Sequence, residues 1–105
     1  MTTPQKITLD QFNQLSTVDF RHPLAAHMME EREWYKSEVT SICGFVGRDI
    51  TDNDYWAMLL GPDKSGKLGC IGSASSIKTE ELARKQLFDL FEDEEAKGIN
   101  VYCHD

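Results

Sequence analysis

Apolar and polar residues alternate most regularly between residues 40 and 77. Over 40–48, Ile42, Gly44 and Val46 fall on one face of an extended chain, and Cys43, Phe45 and Gly47 on the other. Residues 49–54 are polar and turn-forming. Over 54–61, Tyr55, Ala57 and Leu59 alternate with Trp56, Met58 and Leu60, so both faces carry large side chains. Such a pattern predicts a central strand covered on both sides. Residues 62–66 predict a hairpin loop, with Gly66 free to take positive φ. A third strand follows over 67–77. Its residues are small (Gly69, Cys70, Gly72, Ser73, Ala74, Ser75, Ser76), so another element must sit close against it.

The period then changes from two to 3.6. Thr79 suits an N-cap, with Glu80 and Glu81 in the first turn, where the helix dipole favours acids. Ala83, Leu87, Leu90 and Phe91 keep helical spacing, Leu82 and Phe88 widen the stripe, and Gly98 ends the helix. Before the strands, Thr8-Leu9-Asp10-Gln11 matches a capping box, with Ile7 placed to staple onto Phe12. Leu9, Phe12 and Leu15 or Val18 are expected to share one helical face. Pro23 opens a second expected helix over 24–33, and Trp34-Tyr35 ends it or starts a short strand. Residues 1–6 read as a flexible N-terminus, and 99–105 as an edge strand or a loose tail.

The expected fold is α+β: a single domain over residues 1–105, with an antiparallel meander of three or four strands. A long C-terminal helix backs the sheet, and one or two short helices precede it. A chain of 105 residues, 40% hydrophobic and 28% charged, is long enough and apolar enough for one core. The order resembles that of double-stranded RNA-binding domains. It lacks their basic helix start, however, and its last helix is acidic.

Charge narrows the function classes. The net charge of −7, from 18 acidic and 11 basic residues, opposes binding to a phosphate backbone. No apolar run approaches the roughly 20 residues of a membrane helix. Three cysteines and no secretory leader point to a reducing cytoplasm, with Cys43 and Cys70 as buried thiols in apolar strands. The expected partners are therefore a protein or a second copy of the chain, with no nucleic acid and no membrane.

Motifs that resemble catalytic signatures fail on context. Residues 61–67 fit GxxxxGK, but Leu68 stands where a magnesium-binding hydroxyl belongs, and a strand follows instead of a helix. His27 with Glu30 or Glu31 makes at most half a metal site, and no spacing requires His22, Cys103 or His104 to complete it. Cys103 and His104 are neighbours, which places them badly for nucleophile and base. No catalytic residue, metal ligand or cofactor site is assigned.

Two surface features remain. Glu92, Asp93, Glu94 and Glu95 crowd a helix C-terminus, where the dipole disfavours them. Trp34, Tyr35, Tyr55 and Trp56 read either as core or as an aromatic contact patch, with Met58 on the sheet face of Trp56. These nine residues are the candidate interface of a non-enzymatic protein-interaction module. Two alternatives stand beside it. One is a small-molecule binder or enzyme, with a pocket lined by Trp34, Tyr55 and Met58 between the N-terminal helices and the sheet. The other is an acidic mimic of nucleic-acid charge.

Glu33-Trp34-Tyr35, Asp52-Asn53-Asp54-Tyr55-Trp56, Leu60-Gly61 before the Gly66 turn, and Ser76-Ile77-Lys78-Thr79-Glu80-Glu81-Leu82-Ala83-Arg84 carry a family likeness. Over residues 31–90 the chain resembles a group of small bacterial proteins of accessory or mobile-element type. The group has no assigned activity, so the resemblance implies a shared fold and carries over no functional residue.

Overall fold

The computed structural model describes residues 3–15, 29–62 and 68–96. The elements are β1 (Gln5–Ile7), α1 (Leu9–Leu15), β2 (Met29–Lys36), β3 (Cys43–Asp49), β4 (Asp54–Pro62), β5 (Leu68–Ile77) and α2 (Glu80–Ala96). The strands form one antiparallel sheet in chain order, β1-β2-β3-β4-β5. The architecture is α+β, with α2 laid across one face of the sheet and α1 against the other.

Both helices begin where their caps predict. At α1, the Gln11 amide donates to Thr8 Oγ1 at 3.1 Å and the Thr8 amide to Gln11 Oε1 at 2.9 Å, a reciprocal box. Ile7 and Phe12 are buried in one cluster, as a staple requires. At α2, the Leu82 amide donates to Thr79 Oγ1 at 3.1 Å and the Ala83 amide to the Thr79 carbonyl at 3.0 Å. Ala83, Leu87 and Phe91, spaced by four, are its buried row.

Cross-strand partners share a face, so the register sorts the side chains into two cores. Val46 opposite Ala57 and Tyr35 opposite Gly44 lie under α2, with Leu59, Ile77 and the buried row of the helix. Gly44 allows the close approach. A Cβ there would lie 2.6 Å from the Met58 carbonyl oxygen and 2.8 Å from Leu87 Cδ1. On the other face, Cys43, Phe45 and Leu60 join Ile7 and Phe12, with Trp34, Trp56 and Met58 at the margin. Phe12 meets Phe45 edge to face, centroids 6.1 Å apart.

The sheet has five strands where three or four were expected, because the N-terminal third contributes two. Gln5 and Lys6, read as a flexible end, pair with Lys36 and Tyr35. Residues 29–33, read as the end of a helix, are strand. Their helix-like spacing comes from a β-bulge between Glu31 and Glu33, which interrupts alternation. Leu9 and Leu15, expected to share one helical face with Phe12, are 40% and 44% exposed, while Phe12 is the one of the three that this seven-residue helix turns onto the sheet. Cys70, expected to be buried, is exposed because β5 lies at the sheet edge. The expected second-helix residues before Met29, the loop at residues 63–67 with Gly66, the tail beyond Ala96, His22, His27, Cys103 and His104 lie outside the described residues.

Candidate functional site

The most perturbed ionisable groups meet along the seam where α2 follows β2. Four contacts run down this seam. Arg32 Nε donates to Glu80 Oε1 at 2.9 Å, and Arg84 bridges to Glu33. Tyr35 meets Phe88 edge to face at 5.1 Å, and Ser37 Oγ donates to Glu95 Oε2 at 2.5 Å. The helix therefore runs alongside β2 from its bulge to its end.

At the centre, Glu33 is only 3% exposed. Its two oxygens accept Arg84 Nε at 2.8 Å and Nη2 at 2.9 Å, a bidentate clamp, and Oε1 also accepts the Tyr35 hydroxyl. The Arg84 guanidinium holds the Glu33 carboxyl down at about 2, against the upward push of burial. Burial and the adjacent Glu33 charge push the Tyr35 phenol above its ordinary range. The neighbouring Glu33 carboxylate raises the Glu80 carboxyl, which Arg32 partly offsets. Arg32 also donates to Glu30 Oε1 at 2.5 Å.

Clustered perturbed groups are the usual mark of a reactive site. Here they bond one another. A carboxyl held at about 2 and clamped by arginine is a weak base, and a tyrosine raised by burial is a weak acid. The arrangement acts as a strut that fixes α2 on the sheet. Its parts escape sequence reading because Glu33 and Arg84 stand 51 residues apart.

The β3–β4 hairpin is a second polar constellation. Asp49 Oδ1 accepts the Thr51 amide at 2.8 Å and the Asp52 amide at 3.1 Å, and Asn53 adopts φ 59°. Arg48 Nη2 donates to Asn53 Oδ1 at 2.5 Å. Asp54 closes the last rung opposite Asp49, and its Oδ1 is buried without a hydrogen-bond partner among the described residues.

The nine candidate interface residues fall on two layers. Trp34, Trp56 and Met58 lie half-buried on the α1 face, and the Trp34 indole donates to Glu31 Oε1 at 2.9 Å. Tyr35 and Tyr55 lie on the α2 face, Tyr35 fully buried there. Glu92 and Asp93 are exposed on α2, Glu94 is half-buried, and half-buried Glu95 is bonded to Ser37. The expected aromatic face is thus split by the sheet, with Trp34, Trp56 and Met58 opposite the acidic helix and Tyr35 and Tyr55 beneath it. Trp34 and Met58 are likewise separated by the sheet from Tyr55, the third residue of the expected pocket.

The two sheet edges are the remaining surface, and they differ sharply. β1 is three residues long and carries Lys6. β5 is ten residues long and carries no charge from Leu68 to Ile77. Among the described residues it pairs only with β4, so its outer side is an open strand edge. Ser73, Ser75 and Ser76 are exposed along it. Comparison with family models, curated proteins and solved structures returned no match. No helix among the described residues is long and apolar enough to cross a membrane.

Proposed function

We propose that this chain is a non-enzymatic protein-interaction module that takes an extended protein strand along the outer edge of β5. The observation that supports this reading is the ten-residue uncharged edge in a chain that is 28% charged. Sheet edges not used for binding are normally short, charged, bulged or covered; β1 is short and charged, whereas β5 keeps a regular stretch over Gly72, Ser73 and Ala74 between two bulges. An open edge presents main-chain donors and acceptors in a row, and strand addition satisfies them. The strut at the α2–β2 seam fits this role, because it holds the sheet rigid without occupying its edge.

The test is a titration of the isotopically labelled chain with a peptide of alternating threonine and valine, capped by lysines. Amide shifts confined to β5 are expected, and the Trp56→Leu variant retains them. Unchanged β5 amides in a chain that sediments as a monomer would refute the reading. Shifts confined to the α1 face and lost in Trp56→Leu would also refute it, in favour of the aromatic surface.

A further inference from the structure

We infer that the strand taken by β5 is the β5 of a second copy, giving a twofold dimer centred on Ser73. This inference rests on the edge-addition reading and specifies its partner. Three observations lead to it.

Charge is the first. With a net charge of −7, two copies repel through most of their surface. β5 has no charge to contribute to that repulsion, so it is the edge along which copies can approach. An antiparallel strand is also complementary to itself, as an isologous contact requires.

Register is the second. β5 has two irregularities against β4, one between the partners of Tyr55 and Ala57 and one between the partners of Leu59 and Leu60. Bulges bend an edge away from further pairing. Between them, Gly72, Ser73 and Ala74 pair regularly with Leu59, Met58 and Ala57. The middle of that stretch is Ser73, which places the axis there. Each Ser73 then faces its own copy across the axis, on the face that also carries Met58.

Closure is the third. Of the two edges, one is short and carries a lysine. Among the described residues, a copy that uses β5 has no second long edge to offer, so assembly stops at two. The product is a continuous ten-stranded sheet with both α2 helices on one face. By helical spacing, Gln86, Asp89 and Asp93 flank Leu90, which lies 3.4 Å from a Cβ placed on Gly72 of β5. The acids Asp89 and Asp93 of the two copies therefore border one another, and added salt tightens the dimer by screening them.

The experiment is sedimentation of the full chain over a concentration series, at low and high salt. The native chain is expected to give a reversible monomer–dimer equilibrium that tightens with salt. Ser73→Glu places two carboxylates face to face and is expected to raise the dissociation constant at least tenfold, whereas Ser73→Val leaves it unchanged or lowers it. Circular dichroism of Ser73→Glu checks that its fold is intact. A chain ending at Ala96 is expected to dimerise as the full chain does.

A native chain that stays monomeric, a dimer indifferent to Ser73→Glu, assembly beyond two copies, dissociation on adding salt, or loss of the dimer on ending at Ala96 would each overturn the inference. The two readings fail separately. A monomeric native chain whose β5 amides still respond to the threonine–valine peptide loses the second copy but keeps edge addition. A chain that does neither loses both.

Discussion

Replacing Arg84 by methionine tests the strut directly. The substitution keeps the length of the side chain and removes the clamp on a carboxyl that is only 3% exposed. Glu33 falls from 4.5 to about 2 in the folded chain. At about 1.4 kcal/mol per pH unit, that displacement is worth about 3 kcal/mol. Arg84 is itself 39% exposed, so solvent already screens part of the interaction. The expected loss is about 2–3 kcal/mol at pH 7, near what breaking one side of a buried pair costs.

The pH dependence gives the sharper test. A depressed carboxyl contributes its stability fully above its unfolded value of 4.5, and loses it as pH falls toward 2. Without Arg84, the carboxyl keeps the Tyr35 hydroxyl but not the cation, and burial drives it to take up a proton. The gap between native chain and variant therefore narrows on acidification, to about 1 kcal/mol at pH 3. Urea unfolding at pH 7 and pH 3 measures both values. A loss below about 1 kcal/mol at pH 7, or an equal loss at both pH values, would refute the strut. Arg84→Lys keeps the charge but not the two-point clamp, and its loss is expected to fall between the two.

Three further outcomes follow from the geometry. Gly44→Ala is expected to cost more than about 2 kcal/mol in thermal or urea unfolding, because its Cβ meets the Met58 backbone, whereas Gly72→Ala stays within about 0.5 kcal/mol, its nearest contact being the flexible Leu90 at 3.4 Å. Tyr35→Phe is expected to cost about 1 kcal/mol at pH 7 and to flatten the alkaline limb of the stability curve. The raised phenol stabilises the fold below the unfolded value of 10 and loses that contribution as pH climbs toward its folded value, so the native chain weakens faster than the variant above pH 10. Ser37→Ala removes the bond to Glu95 and the acceptor for the Val39 and Thr40 amides, each at 3.1 Å, and is expected to cost about 1–2 kcal/mol and to speed amide exchange in the last turn of α2.

What the sequence disclosed was local. Thr8 with Gln11, and Thr79 with its acidic first turn, are signals complete within four residues, and both helices start there. The alternation of residues 42–47 and 55–60 sorted two strands onto the correct faces, because each position reports its own side. β2 stayed hidden for the opposite reason. Glu30, Glu31 and Arg32 look like the wet side of a helix that runs on to Glu33, and only Arg84, 51 residues on, makes a buried glutamate at Glu33 reasonable. Cys70 was misplaced because strand composition does not say which strand is outermost. The open edge of β5 becomes visible only when the sheet order is known.

The bulge in β2 acts on the chain as a shift acts on a reading frame. Before it, Glu31 faces Gly47 on the α1 side; after it, Glu33 faces Val46 beneath α2, although the two residues have the same parity. Deleting Arg32 makes Glu31 and Glu33 direct neighbours that already face opposite sides, so strict alternation returns and every residue downstream keeps its face. Trp34 would stay on the α1 face, with Glu33 and Tyr35 under the helix, whereas deleting Trp34 instead would turn Tyr35 away from Phe88. Most point substitutions on β2 alter one contact, but a single deletion after the bulge misreads a whole face, and Arg32 is the residue whose loss does not. The tolerance of this strand to insertion and deletion is thus set by one residue, and lengths gained or lost elsewhere in the meander are free to drift within the loops.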